Sequence, residues 1–369
     1  MTETKKLNGY QQTFLDVFRI VAAFFVLLGH SFRYYGLTVF KDDTHFAYIQ
    51  NMGVVMLFLL AGFLAAYSLS KKNEQHDYTI SQFSRHKTTR IFAEYFPGLV
   101  FIAVIDYLSI RINGSAYLFY DAYSVKQFIG NIFMLQEMSL NQLIPNFSIV
   151  SFGSGRPLWT LSVEWWIYFL FAHVYLIVAN KKRFDLKSLV LLALFIFFPM
   201  DFLVQGSQRS IGAVFVLGVL AYSIYDKISK KLALPVFLAS FLLYAAYGAV
   251  FKNAYDIPSF IILWIMLCFG VKTFEIKSAS NKSTRNKTLA FVSGSTFMLY
   301  LLHYSIIDFI YNLSFSENVY LKFSLGIIIS VVLAFVMYYV FGKKKLLIKI
   351  GELVASPFKK QKVKSLGEK

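Results

Sequence analysis

The chain has 369 residues, 57% of them hydrophobic, and its mean hydropathy is positive, which excludes an ordinary soluble domain. Its net charge is +17, but most Lys and Arg lie in short segments between apolar runs, which argues against nucleic acid as a partner. The single cysteine excludes a disulfide within the chain and a cysteine metal cluster.

Ten apolar runs are long enough to cross a bilayer, at about 20 residues each. They lie at residues 14–32, 51–70, 91–110, 158–179, 188–204, 210–226, 232–251, 257–273, 289–312 and 320–341. The fifth and the eighth are the weakest, because they are short. We therefore expect an all-α polytopic membrane protein with about ten transmembrane helices. One membrane domain covers residues 1–345, and a basic cytoplasmic tail covers 346–369.

The positive charges predict the orientation of these helices. If the N-terminus is cytoplasmic and ten helices follow, 28 of the 37 Lys and Arg fall in cytoplasmic segments. Because cytoplasmic loops of membrane proteins carry such an excess, we expect both termini in the cytoplasm.

The first run places a cation and an imidazole on one helix face. Arg19 and His30 are eleven residues apart, with nine apolar residues and one glycine between them. Eleven steps of about 100° return to nearly the same face, displaced by roughly 16 Å along the axis. Ionisable groups inside a span cost at least ~2.5 kcal/mol each and face protein-lined cavities, so this pair indicates chemistry.

The segment between the second and third runs is basic, and we expect its second half to be helical. Arg85 and Arg90 would join Arg19 in a cationic funnel that is open to the cytoplasm. Guanidinium groups suit phosphate, and the Arg19–His30 distance matches the reach of an extended pantetheine arm. An acyl-CoA could leave its nucleotide in this funnel.

The outer segment, residues 112–157, contains a stretch whose apolar residues fall near one helical face. We expect residues 125–138 to form an interfacial helix along the outer surface.

Two later runs add titratable groups. In the predicted topology, Glu164 lies about two turns below the outer surface, and His303 lies in the outer half of the membrane with His30. One carboxylate and two imidazoles are a workable set for general acid–base chemistry. Each candidate has a structural alternative, such as snorkelling for Arg19 and packing for His303. No histidine pair has the spacing of a metal site.

Five stretches, in order, resemble the acyltransferase-3 family of integral membrane O-acyltransferases. They are LDVFRIVAAFFVLLGH (15–30), GVVMLFLLAGFL (53–64), SRHKTTRIFAEYFP (84–97), PLWTLSVEWWIYF (157–169) and STFMLYLLH (295–303). Two positions depart from the family pattern. Ala61 stands where Ser is common, and Arg85 and Arg90 are further apart than the usual Arg pair.

The resemblance implies acyl transfer, usually acetyl, from cytoplasmic acyl-CoA to a glycan or lipid-linked sugar at the outer face of the bacterial plasma membrane. It implies acetyl-CoA as the donor substrate and no permanently bound cofactor. The implied catalytic residues are His30, as base or acyl acceptor, and Glu164. The implied donor-binding residues are Arg19, Arg85 and Arg90, and the supporting residues are Trp159, Ser162, Tyr300 and His303.

Two mechanisms and two other functions stay open at the level of sequence. His30 could deprotonate the acceptor hydroxyl, with Glu164 orienting its ring, or His30 could itself be acylated. A transporter or flippase of a lipid-linked glycan would also use charged groups in the membrane, although no inverted repeat is visible. The remaining alternative is an inactive scaffold. The acyl acceptor and the oligomeric state are not encoded in a readable way.

Overall fold

The computed structural model describes residues 6–37, 44–74, 78–144, 147–180, 185–204, 210–275 and 285–342. Within these residues all regular structure is helical. The α-helices are α1 Gly9–Tyr34, α2 Thr44–Asn73, α3 Ile80–Asn113, α4 Val125–Ile132, α5 Leu140–Leu143, α6 Leu158–Ala179, α7 Leu186–Phe197, α8 Met200–Val204, α9 Ile211–Ile224, α10 Lys230–Phe251, α11 Ile257–Thr273, α12 Lys287–Asn312 and α13 Val319–Met337. The predicted tail, 346–369, and the domain boundary at residue 345 lie outside the described residues.

Seven helices are long and apolar enough to cross a membrane, namely α1, α2, α3, α6, α10, α12 and α13. The other three predicted spans fall on α7, α9 and α11, which have 12, 14 and 17 residues. The run 188–204 is divided because Pro199 lacks a backbone N–H and disfavours helix at the residue before it. The all-helical, multi-pass fold is confirmed, whereas the total of ten spans and the side of the termini stay predictions.

Reciprocal side-chain caps fix where α1 and α3 begin. The Asn8 side chain accepts a hydrogen bond from the Gln11 backbone N–H, and the Gln11 side chain accepts one from the Asn8 N–H. Thr79 and Gln82 repeat this capping box at α3. The helix that was predicted in the second half of the segment between α2 and α3 is therefore confirmed.

Glycines allow α2 to approach α9 closely. A Cβ atom on Gly62 would overlap the backbone carbonyl of Phe215, and one on Gly218 would overlap that of Leu59. Small residues let helix backbones meet in membranes, where packing rather than hydrophobic exclusion drives association. Gly62 is thus a helix-crossing position in the predicted motif 53–64.

The predicted outer helix is present but shorter and differently oriented. It ends at Ile132, and its buried residues are Gln127, Gly130 and Asn131, while Ile129 is exposed. The buried amides bond to the backbone of residues 148–152, a segment without secondary structure. The helix therefore buries its polar face because that face satisfies an irregular segment entering the bundle.

The same segment is fixed from the other side by Asp106 of α3. The Asp106 carboxylate accepts hydrogen bonds from the Ser154 N–H at 2.8 Å and the Ser154 hydroxyl at 2.5 Å. Ser154 also lies 2.6 Å from Ser305 of α12. Gly153 has a φ of +53°, a conformation that favours glycine, and its missing Cβ leaves room for Asp106. Asp106 thus bonds neighbouring elements.

Candidate active site

A basic cavity of about 440 Å³ lies where α1, α3 and α12 converge. Among the described residues nine line it, of which four are cations and none is a carboxylate. The cations are Arg19 of α1, Arg90 of α3, Lys287 at the first position of α12, and Arg285 just before it. We call this region the basic end of the bundle. Its size is that of a small-molecule site, and its charge suits an anionic ligand.

Arg285 is held at this cavity by Asp16 of α1. Its Nε and Nη2 donate to the two carboxylate oxygens, each at 2.8 Å. Asp16 is only 4% exposed. The hydrogen bonds to Asp16 raise the pKa of the Arg285 guanidinium, which is therefore charged at any physiological pH.

Helical phase decides which predicted arginine reaches the cavity. Arg85 is exposed and does not line it, whereas Arg90 does. Five helical positions separate two side chains by about 140°, so the two arginines face different directions. Lys87 lies three positions from Arg90 and shares its face, and it acts electrostatically on Glu164.

Glu164 of α6 lies among cations and not beside the histidines. Lys87, Arg19 and Arg90 act electrostatically on it. The Lys87 ammonium lies 3.1 Å from the centre of the Tyr168 ring, one helical turn from Glu164. The nearby cations reduce the cost of the Glu164 carboxylate inside the membrane.

The segment before α6 is mostly buried, from Ser151 to Gly155, whereas Arg156 is exposed. Along α6, Glu164 lies one turn, about 6 Å, beyond Thr160 on the side of the basic end. Its predicted depth in the membrane stays a prediction. The groups that act electrostatically on His30 are instead His303, Arg33 and Arg156.

Tyr300 of α12 lies between Glu164 and the two histidines, His30 and His303. Its hydroxyl is 2.6 Å from the Thr160 hydroxyl, and it interacts electrostatically with Glu164. Its ring centre is 6.0 Å from that of His303.

Two other predicted supporting residues have structural contacts on α6. The Ser162 hydroxyl lies 2.8 Å from the carbonyls of Gln136 and Trp159. Trp159 stacks on Phe202, with ring centres 5.7 Å apart. The contact of Ser162 with Gln136 and the contact of Trp159 with Phe202 hold α6 against the segments beside it.

His30 of α1 and His303 of α12 contact each other away from the basic end, in a region that we call the histidine end. Their ring centres are 5.2 Å apart, and Tyr304 packs edge-on against His30 at 5.0 Å. His303 Nδ1 lies 2.9 Å from the Leu299 carbonyl and 3.0 Å from the Tyr300 carbonyl. A carbonyl only accepts, so Nδ1 carries the proton. His303 Nε2 is then an acceptor, and it is buried without a hydrogen-bond partner.

Aromatic rings and a carboxylate surround the histidine end. Tyr34 packs edge-on against Tyr304 at 5.6 Å and donates a hydrogen bond to Asp308. The ring centre of Phe119 lies 6.3 Å from that of Tyr304, and the ring centre of Tyr117 lies 5.7 Å from that of Phe119. Burial and the nearby Asp106 raise the pKa of the Tyr117 phenol, so it remains a neutral donor.

Sequence reasoning missed three residues of these two regions, whereas Lys87 was visible between Arg85 and Arg90 in the predicted funnel. Arg285 and Arg33 were read only as charges that orient helices, and Arg156 precedes Pro157 in an irregular segment. Among the residues that the structure describes, no group of three or more His, Cys, Asp or Glu side chains could hold a metal ion.

The comparison with protein families adds one finding to this geometry. The model of the acyltransferase-3 family, described as an acyltransferase domain, matches residues 12–339. This range contains both the basic end and the histidine end. No curated protein and no solved structure matches the chain.

Proposed function

We propose, from the premise that the chain belongs to the acyltransferase-3 family and is a multi-pass membrane acyltransferase, that it acylates a glycan. The donor is a cytoplasmic acyl-CoA, acetyl-CoA in the first instance. The acceptor is a hydroxyl of a cell-surface glycan or lipid-linked saccharide at the outer face of the bacterial plasma membrane.

One observation carries this proposal: a line of polar side chains runs from the basic cavity to the histidine pair. Arg19 at the cavity acts electrostatically on Glu164, and Glu164 acts on Tyr300. The ring centre of Tyr300 lies 6.0 Å from that of His303, which lies 5.2 Å from that of His30. The ends of this line are about 16 Å apart on α1. A charged nucleotide at one end and a thioester at the other would be joined by a pantetheine arm of that length.

The proposed reaction exchanges a thioester for an ester. His30 takes the proton of the acceptor hydroxyl, whose oxygen attacks the thioester carbonyl. The C–S bond breaks, CoA leaves as the thiolate, and the imidazolium returns its proton to the sulfur. Arg33 and Arg156 act electrostatically on His30, and we assign to them the stabilisation of the negative charge that develops on the carbonyl oxygen. A variant of this scheme, in which His30 is acylated first, uses the same residues.

The surroundings of the histidine pair support a sugar as the acceptor. Tyr304, Tyr34 and Phe119 offer ring faces and edges, and Asp308 offers a carboxylate oxygen without a hydrogen-bond partner. Sugars present apolar C–H faces and hydroxyl donors, which such groups complement. Membership of the acyltransferase family favours this enzyme over a transporter of the same glycan.

NMR of the surface glycan tests the proposal. Cells that produce the wild-type chain should show O-acyl signals, and cells that produce His30→Ala should not, although the variant inserts normally. His86→Ala, the same change at an exposed position of α3, is the matched control and should keep the signals. Identical glycans from wild type and His30→Ala would contradict the proposal. Glycan translocation without acylation would replace it with the transporter.

A further inference from the structure

Arg285 combines a fixed position with available hydrogen-bond donors. Two of its five N–H groups bond to Asp16, and within the described residues the other three have no protein partner. Its side chain is 40% exposed, so these donors are accessible. The buried carboxylate of Asp16 holds the guanidinium plane in one orientation at the cavity.

The start of α12 contributes to the same place. Lys287 is its first residue, and Ala290 and Phe291 of its first turns also line the cavity. The N-terminus of a 26-residue helix carries partial positive charge and favours anions, phosphate above all. The fixed guanidinium, the ammonium and the helix N-terminus therefore converge on one cavity. Its described lining residues include no carboxylate.

We infer that Arg285 and Lys287, together with Arg90, bind the phosphate groups of the donor nucleotide, and that Asp16 is the positioning residue for Arg285. This inference rests on the proposed function and adds to it a donor-specificity site. The site makes the enzyme discriminate between a phosphorylated thioester donor and the same thioester on bare pantetheine. Arg19, deeper on α1, faces the start of the pantetheine arm.

The test compares two donors on the full chain in its native membrane. Acyl transfer is measured with acetyl-CoA and with S-acetylpantetheine, which carries the same thioester and no phosphate. The wild type should prefer acetyl-CoA strongly in kcat/KM. Arg285→Gln should reduce this preference, the ratio of the two kcat/KM values, by about tenfold, because it removes charge-assisted hydrogen bonds to phosphate that only acetyl-CoA can make.

Two further variants separate binding from structural support. Asp16→Asn should reduce the preference by a smaller factor, because Arg285 stays charged but loses its fixed orientation. Arg111→Gln makes the same chemical change on the exposed far end of α3 and should leave the preference unchanged. An equal loss of activity with both donors in Arg285→Gln would mean a purely structural salt bridge and would overturn the inference.

The remaining outcomes also decide between sources of phosphate. If a phospholipid headgroup occupies the cavity, changing the phosphatidylglycerol content of proteoliposomes would alter activity with both donors equally, which overturns the inference. A wild type that uses both donors equally would overturn it and leave the proposed acyl transfer intact. A wild type that uses neither donor would instead refute the proposed function.

Discussion

His303→Phe is the change that best separates packing from chemistry at the histidine end. Phenylalanine keeps an aromatic ring beside His30, so the ring contact at 5.2 Å is largely preserved. It removes Nε2, the buried acceptor without a partner, from the ring that contacts His30. In the proposed reaction this nitrogen accepts from the imidazolium that forms on His30.

The magnitude follows from that single hydrogen bond. A hydrogen bond to a charged group contributes about 1.5–3 kcal/mol. At about 1.4 kcal/mol per factor of ten, its loss from the transition state lowers kcat by about 10- to 100-fold. Loss of the ring contact alone would cost about 0.5–1.5 kcal/mol of stability, and phenylalanine retains most of that contribution.

The assay is the initial rate of CoA release in membranes, normalised to inserted protein. His303→Asn, which retains a donor for the Leu299 and Tyr300 carbonyls but no second nitrogen, should be as slow as His303→Phe. His303→Gln, whose amide oxygen approaches the position of Nε2, should recover part of the rate. If His303→Phe keeps more than a third of the wild-type kcat, the ring only packs and the argument from Nε2 is refuted.

Two other predictions concern stability. Glu164→Gln should lower the yield of folded protein, because it removes the carboxylate that interacts electrostatically with Lys87, Arg19 and Arg90 inside the membrane. Adding Lys87→Met should restore part of that yield, and a stable single variant would argue against the pairing. Gly62→Ala should destabilise detergent-solubilised protein by about 1–3 kcal/mol, because the new methyl meets a backbone carbonyl that cannot rotate away. Gly98→Ala is the control, since its methyl meets only a leucine side chain at 3.0 Å, and equal melting temperatures for both variants would contradict the crossing.

The sequence predicted the helices well because each signal was local. Long apolar runs and capping residues determine where a membrane helix lies, and ten predicted runs coincide with described helices. The Arg19–His30 pair was also readable, because a single helix fixes both residues. The sequence could not show that Glu164 lies among cations, since Lys87 and Arg90 belong to a second helix and Arg19 to a third. Arg285 was hidden for a similar reason, because its partner Asp16 is 269 positions away.

Because Glu164 is separated from the histidines, its role in the proposed reaction lies at the basic end and not beside His30. A carboxylate beside His30 would stabilise an imidazolium but would repel the oxyanion that forms on the thioester carbonyl. In the structure His303 contacts His30, and Arg33 and Arg156 act on it electrostatically, which suits a developing negative charge. Glu164 neutralises part of the cationic cluster at the basic end, where Lys87 and Arg19 would otherwise face hydrocarbon and each other. Because α1 carries both Arg19 and His30, this rigid helix holds the basic end and the histidine end at a constant distance. Donors whose arm between nucleotide and thioester has that length therefore fit.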